Sequence, residues 1–446
     1  MKRRTPLLAL LLALGGLSAP AWSADLLSVY RQAQARDAGF AAAQAQREAG
    51  QEKVVQGRAG LLPNLGLSAH STWNEVDVRY PGAGVRAERE YNTNGYSLQL
   101  TQPLFRWQNW VQYRQGELQS ALAEVQFANA RQDLILRVAE AYFNVLNAQD
   151  ALAAVGQLRS AAAEQLEIAK VSFEVGTVTV TDVHEAQSRF DLAVAQEIAA
   201  QSELDVRRHA LAQIIGEAPA ALAPLRSGVE LGGPQPAEVD AWVSAAEASS
   251  FGVQSQHIAR EIAAREVERN RAGHYPTVDL VATHGRTNSG FAQGFNGGSR
   301  TDNSTIGVQL NLPLFAGGGV SSREREAAAL KLKADADVDG ARRAAALAAR
   351  QAFVGVSSGL AQVKALEAAQ VSSLSALEAN RLGYEVGVRI NIDVLNAQSQ
   401  LADTRQRLAR ARYDTLLAQL RLKAAAGTLD DGDIEALNAL LDATPR

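Results

Sequence analysis

The sequence contains no cysteine, which excludes disulfides, thiolate metal sites and lipid attached to a cysteine. None of the seven lysines follows a glycine, so the phosphate-binding G-x-x-x-x-G-K-[ST] loop is absent. The formal net charge of −4 gives no basic field that would attract nucleic acid. The histidines show no metal-ligand spacing: His70, His184, His209, His257, His274 and His284. We therefore expect no catalytic residues, no cofactor, no metal site and no nucleic-acid partner.

Long apolar runs are also absent, apart from one at the start of the chain. Lys2, Arg3 and Arg4 precede an apolar stretch over residues 7–17, and Ala21-Trp22-Ser23 forms a small-x-small cleavage site. A membrane anchor is the alternative, but the run is shorter than the ~20 residues that a spanning helix needs. The pattern predicts a signal peptide over residues 1–23 and excludes an inner-membrane helical protein.

The chain carries the same pattern twice. FEVGTVTVTDVHEAQSRFDLA begins at Phe173, and its near-twin YEVGVRINIDVLNAQSQLADT begins at Tyr384, an offset of 384 − 173 = 211. GRAGLLPNLGL at position 57 matches NRAGHYPTVDL at 270, and YSLQLTQPLF at 96 matches IGVQLNLPLF at 306, with offsets of 213 and 210. These matches indicate an internal duplication. We expect a first repeat over residues 24–216, a linker over 217–241, a second repeat over 242–427 and a C-terminal tail over 428–446.

Proline is missing from two long intervals, between Pro103 and Pro219 and between Pro313 and Pro445. Both intervals are rich in helix-forming residues, with apolar residues at steps of three and four. The pattern predicts a helix over about residues 108–171, roughly 95 Å long at 1.5 Å per residue, and a twin over about 321–381. Helices of this length predict an elongated molecule.

Four segments alternate apolar and polar residues, a pattern typical of strands with one apolar face. They are centred on Leu65–Ala69, Tyr96–Leu100, Val278–Ala282 and Ile306–Leu314. A half-buried soluble sheet is one interpretation, but the predicted export favours strands of an outer-membrane barrel. Four strands are fewer than the eight that usually close such a barrel, so we expect the chain to oligomerise.

With its halves aligned, the chain resembles the TolC family of trimeric outer-membrane efflux and secretion channels. The resemblance runs from ADLLSVYRQAQARD through LTQPLF, LILRVAEAYFNVLNAQDAL, GTVTVTDVHEAQ and GYEVGVRINIDVLNAQSQL to AAGTLDDGDIEALN. It implies a mixed α and β fold made mostly of long helices. In that fold a trimeric 12-stranded outer-membrane β-barrel, with four strands per chain, continues into a periplasmic α-helical coiled-coil tunnel. The linker and the tail would form an equatorial belt around the tunnel.

The resemblance also implies a function and partners. The chain would be a passive, gated exit duct for tripartite drug efflux, type I protein secretion or both. Its partners would be two further copies in a homotrimer, outer-membrane lipid, a periplasmic adaptor protein and an inner-membrane pump of the ABC, RND or MFS type. The lack of cysteine argues against the lipid-anchored relatives. A structural coiled-coil surface protein and an outer-membrane enzyme are the competing interpretations.

In this family, polar links between the two repeated turns close the tunnel entrance. The matching positions here are Thr181, Asp182, Tyr384 and Arg389. The resemblance implies that Tyr384 bonds Asp182 within one chain, and that Arg389 reaches Thr181 and Asp182 of the neighbour. The alternative is helix capping, with Asp182 and Glu185 forming a capping box and Asn391 capping the second helix. Gly176 and Gly387 would then merely permit the turns.

Just after the second turn, the resemblance implies a tunnel constriction at Asp393 and, one helical turn further on, at Asn396. Three copies of Asp393 would face one axis, and a ring of carboxylates favours cations. The family carries a second acidic residue where this chain has Asn396. We therefore expect cation binding in the constriction to be weaker here.

Overall fold

A computed structural model describes residues 24–80, 82, 84–226, 228–291 and 297–442. The signal peptide expected over residues 1–23 and the last four residues of the expected tail lie outside the described residues.

The two halves repeat the same order of elements, as the duplication predicted. Each half has two helices, a β-hairpin, a very long helix and a shorter helix. The first half comprises α1 (Leu26–Arg36), α2 (Ala38–Ala59), β1 (Asn64–Tyr80), β2 (Val85–Phe105), α3 (Trp107–Glu174) and α4 (Val180–Ile215). The second comprises α5 (Val239–Ser249), α6 (Phe251–Arg271), β3 (Thr277–Ser289), β4 (Ser299–Asn311), α7 (Gly319–Glu385) and α8 (Asn391–Ala425), followed by α9 (Asp431–Asn438).

The long helices α3 and α7 have 68 and 67 residues and are uninterrupted. Each spans about 100 Å at 1.5 Å per residue, slightly more than predicted. Each pairs with the shorter helix that follows it, so the chain contains two long helical hairpins, α3–α4 and α7–α8. Over the residues described, no helix has both the length and the apolar character needed to cross a membrane.

The four strands form one antiparallel sheet in the order β1-β2-β3-β4. Leu65 lies opposite Leu100, Leu100 opposite Ala282, and Ala282 opposite Ile306, so the apolar positions of all four strands share one face. This face is uncovered: Leu65 is 64% exposed and Ile306 76% exposed. We call it the apolar face. The opposite face is made mostly of polar residues and glycine, with single apolar residues such as Val76, Val78 and Val281, and we call it the polar face.

The main hydrophobic core lies at the middle of α3 and the C-terminal part of α8. Tyr142 and Phe143 of α3 pack there with Leu416 of α8, and α1 and α9 close the cluster from outside. The Tyr142 hydroxyl donates to the carbonyls of Ala24 and Ala223, at 3.1 and 2.8 Å. This core holds the two hairpins together at one level and leaves their far ends to project beyond it.

Candidate functional site at the helical tip

The first turn, between α3 and α4, closes through backbone geometry. Gly176 has φ +77°, a conformation that costs glycine little. The amide of Thr177 donates to the Ser172 carbonyl at 2.9 Å, and its hydroxyl donates to the same oxygen at 2.9 Å. The turn therefore ends α3 within a few residues of the start of α4.

The capping box expected between Asp182 and Glu185 is wrong, because α4 begins one turn earlier. The N-cap is Thr179, and Asp182 is the third helical residue, which reaches back to it. Asp182 Oδ2 accepts the Thr179 amide at 2.8 Å and the Thr179 hydroxyl at 2.7 Å. These hydrogen bonds stabilise the carboxylate and lower the pKa of Asp182 below its ordinary value. Asp182 thus caps its own helix, one turn earlier than the sequence suggested.

The second turn, between α7 and α8, repeats the first. Gly387 has φ +75°, and the amides of Val388 and Arg389 both donate to the Gly383 carbonyl, at 2.8 and 3.0 Å. The N-cap of α8 is Ile390, which provides no side-chain cap, so the expected cap by Asn391 is wrong. Among the described residues, the buried Oδ1 of Asn391 accepts no hydrogen bond.

The predicted gate residues all lie at this tip but do not bond one another in the single chain. Arg389 lies in the turn, 3.6 Å from Asp393 in the first turn of α8. Tyr384 is half-buried against Leu377, Val394 and Leu401. Thr181 is exposed. The links between Tyr384, Arg389, Thr181 and Asp182 therefore remain predictions about the assembled channel.

One polar contact near the tip does join the two hairpins, and sequence reasoning missed it. Arg189 of α4 donates to Asn396 of α8 through Nη2 and Oδ1, at 3.2 Å. The residues are 207 positions apart, and no motif marks Arg189. The contact gives Asn396 a polar partner in the other hairpin.

Between the core and the tip, a groove separates the hairpins. It has a volume of about 880 Å³ and lies between α3, α4 and α8, with small residues such as Ala151, Ala199 and Ala402 in its walls. Above it, the Phe143 and Tyr413 rings stack with centroids 5.5 Å apart. The hairpins therefore pack together at the core and are separated by this groove below it.

The fold defines an outer-membrane channel subunit: a sheet with an exposed apolar face joined to two long helical hairpins that end in tight turns. The family model for outer membrane efflux proteins matches residues 29–217 and 242–428. The chain belongs to this family, which is a family of channels and not of enzymes. It is an exit duct of the outer membrane, with its helices in the periplasm.

Relatives match over nearly the whole chain. Outer membrane protein TolC of Vibrio cholerae is 33% identical over 441 residues, 98% of each protein. Outer membrane protein TolC of Escherichia coli is 33% identical over 99% of this chain and 90% of its own length. The alkaline protease secretion protein AprF of Pseudomonas aeruginosa is 35% identical over 94% of this chain and 88% of its own.

Solved structures share the fold at lower identity. CmeC, an outer membrane channel of Campylobacter jejuni, has a TM-score of 0.78 at 19% identity and covers 94% of this chain and 90% of its own. The outer membrane protein VceC of Vibrio cholerae has a TM-score of 0.76 at 21% identity, with 90% and 96% covered. These similarities confirm the predicted architecture of a strand-bearing membrane end and long helices.

Proposed function

We propose that three copies of this chain form a closed twelve-stranded barrel that continues into an α-helical tunnel. The observation that supports this most directly is the open sheet: among the described residues, β1 and β4 each have one edge without a partner strand. An exposed strand edge with an apolar face is unstable in lipid, because no water can satisfy its backbone groups. Closure with further copies satisfies both edges and turns the apolar face toward lipid and the polar face toward the lumen.

The duct serves type I protein secretion, drug efflux or both. Two relatives similar over most of their length are named for protease secretion, AprF and PrtF, and the family is named for efflux. The duct carries cargo supplied by an inner-membrane pump of the ABC, RND or MFS type, coupled through a periplasmic adaptor. Outer-membrane lipid surrounds the barrel.

The tip closes the duct. Two tight turns end the hairpins, and the groove below the core lets the hairpins separate without breaking a packed interior. Arg389 and Tyr384 on one hairpin and Thr181 and Asp182 on the other supply the polar links. Exposed links of this kind contribute about 0–1 kcal/mol each, so three copies hold the entrance while a docked partner can still open it.

Single-channel conductance in a planar bilayer tests the duct. The purified trimer should give a small, steady conductance that is set by the closed tip. If a correctly folded trimer gives no conductance at any voltage below membrane rupture, the duct is refuted and a structural coiled-coil role takes its place.

A further inference from the structure

The two β-hairpins of the chain are related residue by residue, beyond their similar sequences. Matching motifs relate β1 to β3 by 270 − 57 = 213 positions and β2 to β4 by 306 − 96 = 210. In the first hairpin Leu65 lies opposite Leu100. Adding the two offsets gives Val278 opposite Leu310, which is the pairing observed in the second hairpin. The duplication therefore preserves strand register.

The same relation can be applied to the pairing of the two edge strands, β4 and β1, which a single chain does not contain. Within the chain, β2 pairs with β3, and Tyr96 lies opposite Arg286. Adding 210 to a β2 position gives the equivalent β4 position, and subtracting 213 from a β3 position gives the equivalent β1 position. The pair Tyr96 and Arg286 therefore corresponds to Ile306 and Trp73. The β1 strand involved must belong to another copy, because β1 and β4 are the two edges of the sheet.

We infer that β4 of one subunit pairs with β1 of the next in this register, an inference that rests on the proposed trimer. Ile306 lies opposite the partner's Trp73, and Leu310 opposite the partner's Ala69. Gly307 lies opposite the partner's Thr72. All other pairs follow in antiparallel order.

Two independent features agree with this register. The first is the sheet's two-faced pattern: Ile306 and Leu310 belong to the apolar face, and so do Trp73 and Ala69. A slip of one residue would place them against the polar face, which strands with one buried face do not tolerate.

The second feature is an asymmetry between equivalent segments. β2 extends to Phe105, whereas β4 ends at Asn311, although both halves carry PLF at the equivalent positions, 103–105 and 313–315. Phe105 lies opposite Val278 and is 43% exposed; its equivalent Phe315 has no partner and is 89% exposed. In the inferred register, Leu312 lies opposite the partner's Leu67 and, past a bulge equivalent to the one between Pro103 and Phe105, Phe315 lies opposite the partner's Leu65. The segment after Asn311 therefore becomes the end of β4 when it pairs with β1 of the partner subunit.

The register also arranges charge across the subunit boundary. Continued toward the strand ends, it places Arg300 opposite the partner's Arg79 and diagonal to the partner's Asp77, on the same face, as Arg86 lies opposite Arg79 within the chain. Within the chain, Asp77 already accepts from Arg86 at 3.0 Å across the equivalent diagonal of β1 and β2. The boundary thus repeats a contact that the hairpin itself uses.

Cysteine cross-linking tests the register cleanly, because the natural chain has no cysteine. The test variant combines Gly307→Cys with Thr72→Cys. A Cβ at Gly307 meets open space in the single chain. Residues directly opposite each other in antiparallel strands have Cα atoms about 4.5–5.5 Å apart, within disulfide range. Two matched variants combine Gly307→Cys with His70→Cys or with Asn74→Cys, each two residues out of register.

The readout is the fraction of covalent dimers and trimers on a non-reducing denaturing gel after mild oxidation of full-length protein in membranes. We expect the Gly307–Thr72 variant to exceed both shifted variants by about tenfold, because diagonal positions lie beyond easy disulfide reach. Ser68→Cys with Ser97→Cys, opposite each other within one chain, controls for oxidation: it should close without joining chains.

Stronger cross-linking of either shifted variant would overturn the register and leave the trimer standing. No cross-linking of any variant, in protein that light scattering shows to be trimeric, would also overturn the register. Monomeric protein in every variant and in the wild type would refute the trimer itself.

Discussion

The Arg106 guanidinium donates two hydrogen bonds to the Asp279 carboxylate, from Nε to Oδ1 at 2.7 Å and from Nη2 to Oδ2 at 2.6 Å. Arg106 lies between β2 and α3, and Asp279 is a buried residue of β3, 173 positions later. The pair joins the two halves of the chain where the sheet meets the helices. The equivalent positions in the other half are Ala316 and Gly66, so the duplication does not repeat the pair.

We predict that Asp279→Ala destabilises the protein, because a buried, bidentate charged contact is lost. Hydrogen bonds to charged groups contribute about 1.5–3 kcal/mol, and the partial exposure of Arg106 places the expected loss toward the lower end. Thermal unfolding of the trimer measures the effect. Asp302→Ala, which removes an exposed ion pair to Arg286 in the same sheet, is the matched control and should change stability little.

We predict that Arg389→Ser combined with Tyr384→Phe raises single-channel conductance without unfolding the trimer, because the proposed links across the entrance are lost. The structure places Arg389 against Asp393 and Tyr384 in a small apolar cluster. The conservative Tyr384→Phe change retains that packing. If the folded double variant conducts like the wild type, the polar residues of the turns serve only the turns themselves.

The contact between Arg189 and Asn396 leads to a separate gating prediction. Arg189→Ala removes the one described side-chain hydrogen bond between α4 and α8, so the hairpins should separate more readily. We expect a modest rise in the frequency of open events, in keeping with about 0–1 kcal/mol for an exposed contact. Lys333→Ala breaks an exposed ion pair with Asp337 within α7, away from the groove and the tip, and should leave gating unchanged. Equal effects of both variants would contradict a role for the inter-hairpin contact.

Asn396 also bears on the proposed constriction. Introducing an acid with Asn396→Asp should strengthen inhibition of conductance by divalent cations several-fold, because each subunit then adds a second carboxylate near the proposed ring of Asp393 side chains. Arg189 would neutralise part of the new charge, since it already contacts this position. The effect should therefore be larger in the Arg189→Ala background, and Asp393→Asn should abolish it. An effect that survives Asp393→Asn would place the cation elsewhere.

The last prediction concerns pH. The Tyr413 hydroxyl donates to Asp150 Oδ2 at 2.7 Å, and burial raises the pKa of Asp150 above its ordinary value. Because the folded pKa lies above the unfolded one, the folded state is favoured with Asp150 protonated, and stability falls as pH rises through the folded pKa. Asp150→Asn keeps an acceptor for Tyr413 and avoids this cost.

Denaturant unfolding between pH 4 and 8 measures this dependence. The stability advantage of Asp150→Asn over the wild type should grow as pH rises and then level off. Tyr413→Phe is the contrasting variant: it leaves the carboxylate without its donor and should cost about 1–3 kcal/mol at pH 7. A constant difference between Asp150→Asn and the wild type across this range would contradict the raised pKa.

The duplication, the long helices and the alternating strands could all be predicted from the sequence. These features depend on local periodicity: apolar residues at steps of three and four indicate a helix face, and alternation of apolar and polar residues indicates a strand face. The missing prolines allowed α3 and α7 to run without a break, and Gly176 and Gly387 marked the turns that end them. Position along the chain was therefore enough to order the elements and to align the two halves.

The partners of individual side chains were decided only by the tertiary structure. Asp182 caps with Thr179 and not with Glu185, because the helix begins where the compact turn ends and not at the first acid. Arg189 meets Asn396, and Arg106 meets Asp279, across 207 and 173 residues. Such contacts depend on how two hairpins and a sheet pack together, and no local sequence pattern indicates which residues so far apart in the chain will meet. The sequence determined the elements and their repetition; packing chose which polar groups face each other.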